Sequence, residues 1–184
     1  MTLDDTAQHS REDCAYHEAS HAVYAHHAAD LILGSVTIEG RAHTNLGGVP
    51  LSMPVYMSRD ERIEAAAMYL AGGYGLHRHH HGSTPQPVPF EAFVSRVKEA
   101  SRQARVEIGW LTSDAARAYT LIELAATGAA DRDKTRRACY AEVCGLALRY
   151  VSERWVQIET VAICLLRRGT LESEEVAQLI EGVK

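Results

Sequence analysis

Several features that define large classes of protein are scarce or missing in this sequence. Its four cysteines show no CxxC pair and no framework spacing, which is typical of reduced thiols in a cytoplasmic protein. The net charge of −5 includes no basic block, so we expect no nucleic-acid partner. The longest apolar runs, such as residues 161–166, are far too short to cross a bilayer. The N-terminal Met-Thr-Leu-Asp-Asp is acidic and lacks the hydrophobic stretch of an export signal, so we expect no membrane anchor and a cytoplasmic location.

The residues that are present indicate a mainly α-helical protein that folds as one domain, residues 1–184. Hydrophobic residues make up 46% of the chain and charged residues 23%, which suits an ordinary globular core. Helical patterns run from residue 90 to the end of the chain. Upstream, a capping box at Ser58 predicts a helix that reaches about Ala71, where Gly72 and Gly73 are expected to stop it.

Two short extended segments and one loop are predicted around that helix. Residues 35–39 alternate with β-branched side chains, and residues 49–53 contain Pro50, which favours an edge strand. We expect these segments to pair in a small β-hairpin or short sheet near the first helix. Its edge would hold a substrate peptide or be purely structural. Residues 76–89 are rich in histidine and proline and predict a loop, whose histidines at 77 to 81 either bind metal or form a solvated insertion.

The first helix carries the motif that organises the functional hypothesis. His17-Glu18-Ala19-Ser20-His21 matches H-E-x-x-H within a segment, about residues 11–29, that has no glycine or proline. On a helix, positions i and i+4 lie on one face, so both imidazoles can bind one zinc ion. Glu18 projects beside them and could act as a general base in peptide-bond hydrolysis. The motif is short enough to arise by chance, so the surrounding sequence is needed to judge whether it marks a zinc site.

A catalytic zinc site needs a third protein ligand, and the residues leave several candidates open. His27 stands ten residues after His17, but Tyr24 occupies the position where a turning chain would have glycine. Cys14 lies one helical turn before His17 and is an alternative ligand or an ordinary half-buried cysteine. A glutamate from the next helix, Glu61 or Glu64, is the remaining candidate of this group.

Several stretches, in collinear order, resemble peptidase family M41, the proteolytic domain of the FtsH-type AAA proteases. Residues 15–23 read A-Y-H-E-A-S-H-A-V and are similar to that family's A-Y-H-E-A-G-H-A-V signature. Residues 36–41 and 46–48 are similar to its V-T-I-x-x-R segment and the L-G stretch that follows, and residues 58–73 to its helix with a Gly-rich turn. Residues 112–118 resemble its S-N-D-L-x-x-A segment, and residues 170–176 its closing T-L-x-x-x-E-I.

The resemblance implies a ligand set and a base. Carried over by position, His17, His21 and Asp114 would bind Zn²⁺, and Glu18 would be the catalytic base. Asp114 also stands at the start of a predicted helix, where exposed amides favour a carboxylate. The position of Asp114 is therefore also explained if it only stabilises the start of that helix.

The chain also departs from the family pattern. Ser20 replaces a glycine inside the motif, and Tyr74-Gly75 stands where the family has an acidic A-E pair, so a carboxylate that orients a ligand is expected to be missing. The sequence contains no G-x-x-x-x-G-K-[ST] motif and nothing that resembles an ATPase module. We therefore expect substrates that are short peptides or unfolded polypeptides, supplied in some cases by a separate unfoldase or adaptor.

These observations predict a stand-alone, M41-like zinc metallopeptidase. The alternative is a non-catalytic zinc-binding scaffold that keeps the fold for protein interaction. A regulatory peptidase that cuts one partner would share the chemistry and differ in its substrate. The physiological substrate and the oligomeric state stay open.

Overall fold

The computed structural model describes residues 10–28, 32–39, 51–52, 57–107 and 114–183. These residues form a mainly helical fold with small antiparallel sheets, which confirms the predicted fold class. None of the helices in these ranges combines the length and the apolar character that crossing a bilayer requires. The elements in chain order are α1 Arg11–His27, β1 Ile32–Leu33, β2 Val36–Thr37, β3 Leu51–Ser52, α2 Arg59–His81, α3 Phe90–Glu107, α4 Asp114–Ala125, α5 Arg132–Glu153, α6 Trp155–Arg168, β4 Thr170–Leu171 and α7 Ser173–Gly182.

Helices α1 and α2 lie at the centre of the molecule. α1 packs against α2 and α6, and α2 packs also against α4 and α5. Alanine occupies many of the buried positions of both helices, and small side chains let two helix axes approach closely. The buried apolar residues of these helices belong to one hydrophobic cluster that continues through α4 to α7. The central pair therefore fixes the position of any group that its facing surfaces carry.

A capping box is present at the start of each of these two helices, including the one predicted at Ser58. The Ser10 hydroxyl accepts a hydrogen bond from the Asp13 amide, and the Asp13 carboxylate accepts one from the Ser10 amide. Ser58 and Glu61 form the same reciprocal pair at the start of α2. Each box satisfies two backbone donors that a helix start would otherwise leave unpaired.

Helix α2 is longer than the sequence predicted. The expected stop at Gly72 and Gly73 is wrong, because the helix continues through both glycines to His81 and ends at Gly82 with φ of +70°. The predicted loop at 76–89 is therefore helical in its first six residues, and only residues 82–89 are irregular. Gly72 and Gly75 face α1 at distances that leave no room for a side chain, so they permit close packing and do not end the helix.

The short strands pair differently from the expected hairpin. The strand at Val36–Thr37 pairs with Thr170–Leu171 near the C-terminus, and Ile32–Leu33 pairs with Leu51–Ser52. Both pairs are antiparallel. The predicted pairing of residues 35–39 with residues 49–53 is thus wrong, because each strand pairs with a different segment. The prediction of short antiparallel sheets is confirmed. Local alternation predicts that a segment is extended, but the choice of a partner more than 130 positions away depends on how the helices pack.

The C-terminal helices agree with the sequence patterns. Part of the helical region predicted from residue 90 onward is divided at Arg154 into α5 and α6. Gly169 ends α6 with a φ of +79°, a backbone conformation that favours glycine. Its carbonyl accepts a hydrogen bond from the Ile38 amide, which joins the end of α6 to the segment after α1.

Candidate metal centre

Three polar side chains from two helices converge at one point beside α1. His17 and His21 lie one turn apart on α1, and Asp114 is the first residue of α4. The His17 Nε2 atom is 2.8 Å from Asp114 Oδ2 and 3.0 Å from His21 Nε2, and His21 Nε2 is 3.1 Å from the same Oδ2. In the part of the chain that the structure describes, this is the one group of three His, Cys, Asp or Glu residues with ligand atoms close enough to share a metal ion.

The centre is partly accessible from solvent. His21 is buried at 4% exposure, whereas the side chains of His17 and Asp114 are each 26% exposed. A site formed by these three groups therefore combines a buried wall with a side that a ligand could reach.

A backbone carbonyl fixes the orientation of the His21 ring. The His21 Nδ1 atom lies 2.8 Å from the Met68 carbonyl oxygen on α2. Because a carbonyl can only accept, Nδ1 carries the proton, and in the neutral ring Nε2 presents a lone pair to the centre. Partners of this kind typically orient metal-binding histidines. The Met68 carbonyl thus orients His21. Tyr74, at the position where a ligand-orienting carboxylate was expected to be missing, donates its hydroxyl hydrogen to the Cys144 thiol.

The charges at the centre favour a cation. Burial acts to raise the pKa of Asp114, but its hydrogen bonds with His17 and His21 outweigh burial and hold that pKa well below its usual range. Asp114 is therefore a carboxylate, and its Oδ2 atom lies 2.8 Å from His17 Nε2 and 3.1 Å from His21 Nε2. A divalent cation bound at this point would be attracted by the carboxylate and would take the place of the protons that these groups share. Two imidazole nitrogens and one carboxylate oxygen form a donor set that zinc accepts, with a further position left for water or substrate.

Glu18 has an unusual environment for a carboxyl group. It is 6% exposed, and its Oε2 atom is buried and has no hydrogen-bond partner among the residues that the structure describes. Burial raises its pKa to about 7, which the charges of His17 and Arg117 oppose and that of Asp114 reinforces. Buried polar atoms are normally paired, so a carboxyl oxygen that lacks a described partner next to candidate metal ligands is a candidate functional group.

Two glycines of α2 make the approach of α1 possible. A side-chain carbon at Gly72 would lie 2.5 Å from His21 Nε2 and 2.8 Å from His17 Cε1. At Gly75 it would lie 1.8 Å from the Ser20 hydroxyl, which itself donates to the Tyr16 carbonyl. Ser20 fits inside the motif because Gly75 has no side chain. Gly73 points away from these contacts.

The other candidate ligands have partners elsewhere. α1 remains helical through His27, as the missing glycine at Tyr24 indicated, and His27 Nε2 lies 3.0 Å from the Gln157 side-chain oxygen. Glu64 accepts a hydrogen bond of 2.6 Å from the Tyr24 hydroxyl. Glu61 belongs to the capping box of α2. Cys14 is buried, and burial is the main cause of its raised pKa, so it is a poor ligand.

The histidines near the end of α2 lie outside the centre. His79 and His80 approach carboxylates at the start of α1, at 3.4 Å from Glu12 and 3.0 Å from Asp13. The His79 ring also stacks on Tyr16 at a centroid distance of 3.7 Å. These contacts join the C-terminal end of α2 to the N-terminal end of α1. The predicted loop is therefore wrong for residues 76–81, which are helical, although His80 and His81 are exposed to solvent.

Sequence reasoning found the three converging side chains but missed the groups that position them. The role of the Met68 carbonyl could not be recognised in the sequence, because every residue has a backbone carbonyl. Gly72 and Gly75 did leave a signal: they stand three residues apart in an alanine-rich helical segment, a spacing that places both on one face. Tyr69 and Arg117 also lie next to the centre and were not singled out.

No family model matches this chain, and no curated protein matches it either.

Proposed function

We propose that this chain is a zinc-dependent metallopeptidase that cleaves short or unfolded polypeptides, as its resemblance to peptidase family M41 implies. The observation that carries the proposal is the convergence of His17 Nε2, His21 Nε2 and Asp114 Oδ2 within 3.1 Å of one another. Asp114 is separated from the histidines by more than 90 residues of sequence. The H-E-x-x-H motif alone could be a coincidence. A catalytic zinc site requires a third protein ligand, and Asp114 is placed to be that ligand.

Each residue of the centre would have its own role in peptide-bond hydrolysis. Zinc, when bound, would supply a Lewis acid that polarises a peptide carbonyl and acidifies a water molecule. Glu18 would accept a proton from the attacking water at Oε2 and deliver it to the leaving amine nitrogen. The unpaired state of Oε2 supports this role, because the atom is free to accept a proton. His21 would be held in its ligand orientation by the Met68 carbonyl.

The proposal extends to substrates and location. Peptides and unfolded chains fit a centre that is only partly exposed. A folded protein would first have to be opened, so a separate unfoldase or adaptor is the proposed partner. All four cysteines are free thiols, which supports a reducing compartment and hence the cytoplasm.

Metal content, measured by mass spectrometry on untagged protein, tests the ligand set. We expect about one zinc per chain in the wild type, as a single site requires, and a loss of zinc in His17→Ala and Asp114→Ala. His27→Ala and His80→Gln are matched controls that should keep the metal. Zinc retained by Asp114→Ala would move the third ligand elsewhere. A wild-type chain that takes up no zinc after reconstitution would refute the zinc-dependent function.

A further inference from the structure

Arg117 lies one helical turn after Asp114 and next to the metal centre. Its Nη1 atom is 3.9 Å from Asp114 Oδ1, and its side chain is 48% exposed. That distance is too long for a hydrogen bond, so the ion pair is weak. Arg136, by comparison, approaches Glu123 to 2.6 Å and contacts Asp133 as well. The Asp114 carboxylate therefore leaves most of the five N–H donors of Arg117 available.

An aromatic ring holds the guanidinium in place. The guanidinium carbon lies 5.4 Å from the centre of the Tyr69 ring, and the Tyr69 ring in turn meets His21 edge-to-face at 6.4 Å. Stacking on a ring fixes the plane of an arginine. The Tyr69 hydroxyl also forms a hydrogen bond with the Arg117 guanidinium, which leaves its remaining N–H groups for a ligand. Arg117 is therefore a positioned fork of donors beside His21 and Asp114, at the accessible side of the centre.

The local charge favours an anionic ligand. With a divalent ion bound, the positive charges of the ion and of Arg117 exceed the negative charges of Asp114 and Glu18. A planar guanidinium matches the two oxygens of a carboxylate in a bidentate contact. An extended residue spans about 3.3–3.6 Å. A carboxylate on Arg117 would accordingly lie about one residue away from a peptide bond held at the centre.

We propose that Arg117, held against Tyr69, binds a substrate carboxylate located within one residue of the peptide bond that is cleaved. The carboxylate is either the C-terminus of a short peptide or the side chain of a terminal Asp or Glu. This inference rests on the proposed metallopeptidase function and specifies its substrate class. Arg117 is then a specificity-determining residue, and the preferred products include a single C-terminal amino acid.

Peptide binding to a catalytically inactive variant tests the Arg117 subsite without relying on turnover. Zinc-loaded Glu18→Gln protein, with its metal content measured first, is titrated calorimetrically with three acetylated alanine peptides. They end in a free carboxylate, in a C-terminal amide, and in a glutamate whose own C-terminus is amidated. We expect the free acid, or the glutamyl amide, to bind about tenfold or more tightly than the plain amide. Whichever of these two peptides binds more tightly than the plain amide identifies the source of the carboxylate.

A second substitution assigns the preference to Arg117. Adding Arg117→Gln should remove the difference between the peptides, and Arg117→Lys should restore part of it. Arg102→Gln is the control, because Arg102 is also an exposed arginine paired with a residue three positions earlier. Equal affinities for all three peptides, no binding of any, or a preference that survives Arg117→Gln would overturn the subsite while leaving the zinc site standing. Failure to load zinc would overturn both proposals.

Discussion

At the scale of single residues, the contacts of each side chain define the role that we assign to it. His21 is oriented by a carbonyl, and Asp114 is held ionised by two histidines. Glu18 has one oxygen that no described residue contacts by a hydrogen bond. Glu64 was a rival ligand in the sequence and is instead bonded to the Tyr24 hydroxyl. These assignments depend on which atoms face one another, which a sequence cannot specify.

The Tyr24–Glu64 hydrogen bond gives a prediction that separates stability from metal binding. Tyr24 is 1% exposed, so Tyr24→Phe removes a buried donor and leaves the Glu64 carboxylate without it. We expect a loss of about 1–2 kcal/mol in the free energy of unfolding, measured by urea denaturation. Zinc content should stay at the wild-type level. A loss of zinc in this variant would argue that Glu64 supports the metal after all.

At the scale of secondary structure, the close contact between α1 and α2 positions the two histidines. The sequence predicted the start of α2 from its capping box, because a cap is a local pattern of three or four residues. It mispredicted the end of α2, because a glycine pair stops a helix in one context and admits a neighbouring helix in another. Only the packing partner distinguishes the two cases.

Gly72 and Gly73 form a matched pair that tests this explanation. Gly72→Ala would force a methyl group against both histidine rings, so we expect zinc affinity to fall at least tenfold, a loss comparable with removing a partner that orients a ligand. A methyl group at Gly73 would meet no atom of the described residues within 4 Å, and Gly73→Ala replaces a helical glycine, so it should stabilise the protein by about 0.5–1 kcal/mol. Zinc titration and urea unfolding of both variants check this. Equal zinc affinity in the two variants would contradict the assigned role of Gly72.

Ser20 and Gly75 provide a coupled test at the same interface. Gly75→Ala would place a methyl group on the Ser20 hydroxyl and is expected to destabilise the fold by about 1–3 kcal/mol. Ser20→Gly removes the obstructing atoms, so the double variant should recover most of that loss. A double-mutant cycle by urea denaturation measures the coupling. Additive effects would mean that the two residues do not meet.

At the scale of the whole molecule, the candidate site exists only when distant parts of the chain are folded together. α1 supplies two of its groups and α4 the third, and α2 packs between elements that carry them. The mainly helical fold followed from periodicity along the chain. The pairing of Val36–Thr37 with Thr170–Leu171 did not, because it joins segments that are remote in sequence.

Because the ligands converge only in the folded state, zinc should stabilise the fold. At a free zinc concentration of about 100 times the dissociation constant, binding contributes about 2.7 kcal/mol. For a chain of this size we expect the midpoint of thermal unfolding to rise by about 5–10 °C. His17→Ala should show no rise, and a chelator should reverse the effect in the wild type. An equal rise in His17→Ala would place the stabilising metal outside this centre.

The most direct test of the account is peptide cleavage by zinc-loaded wild type and by zinc-loaded Glu18→Gln. Mass spectrometry would follow the products of an unstructured peptide mixture, with metal content measured on the same samples. We expect the wild type to cleave and Glu18→Gln to bind equal zinc while its rate falls by about 100-fold or more, the range for loss of a general base. Cleavage that is unchanged in Glu18→Gln, or a zinc-loaded wild type that cuts no peptide, would contradict the metallopeptidase assignment.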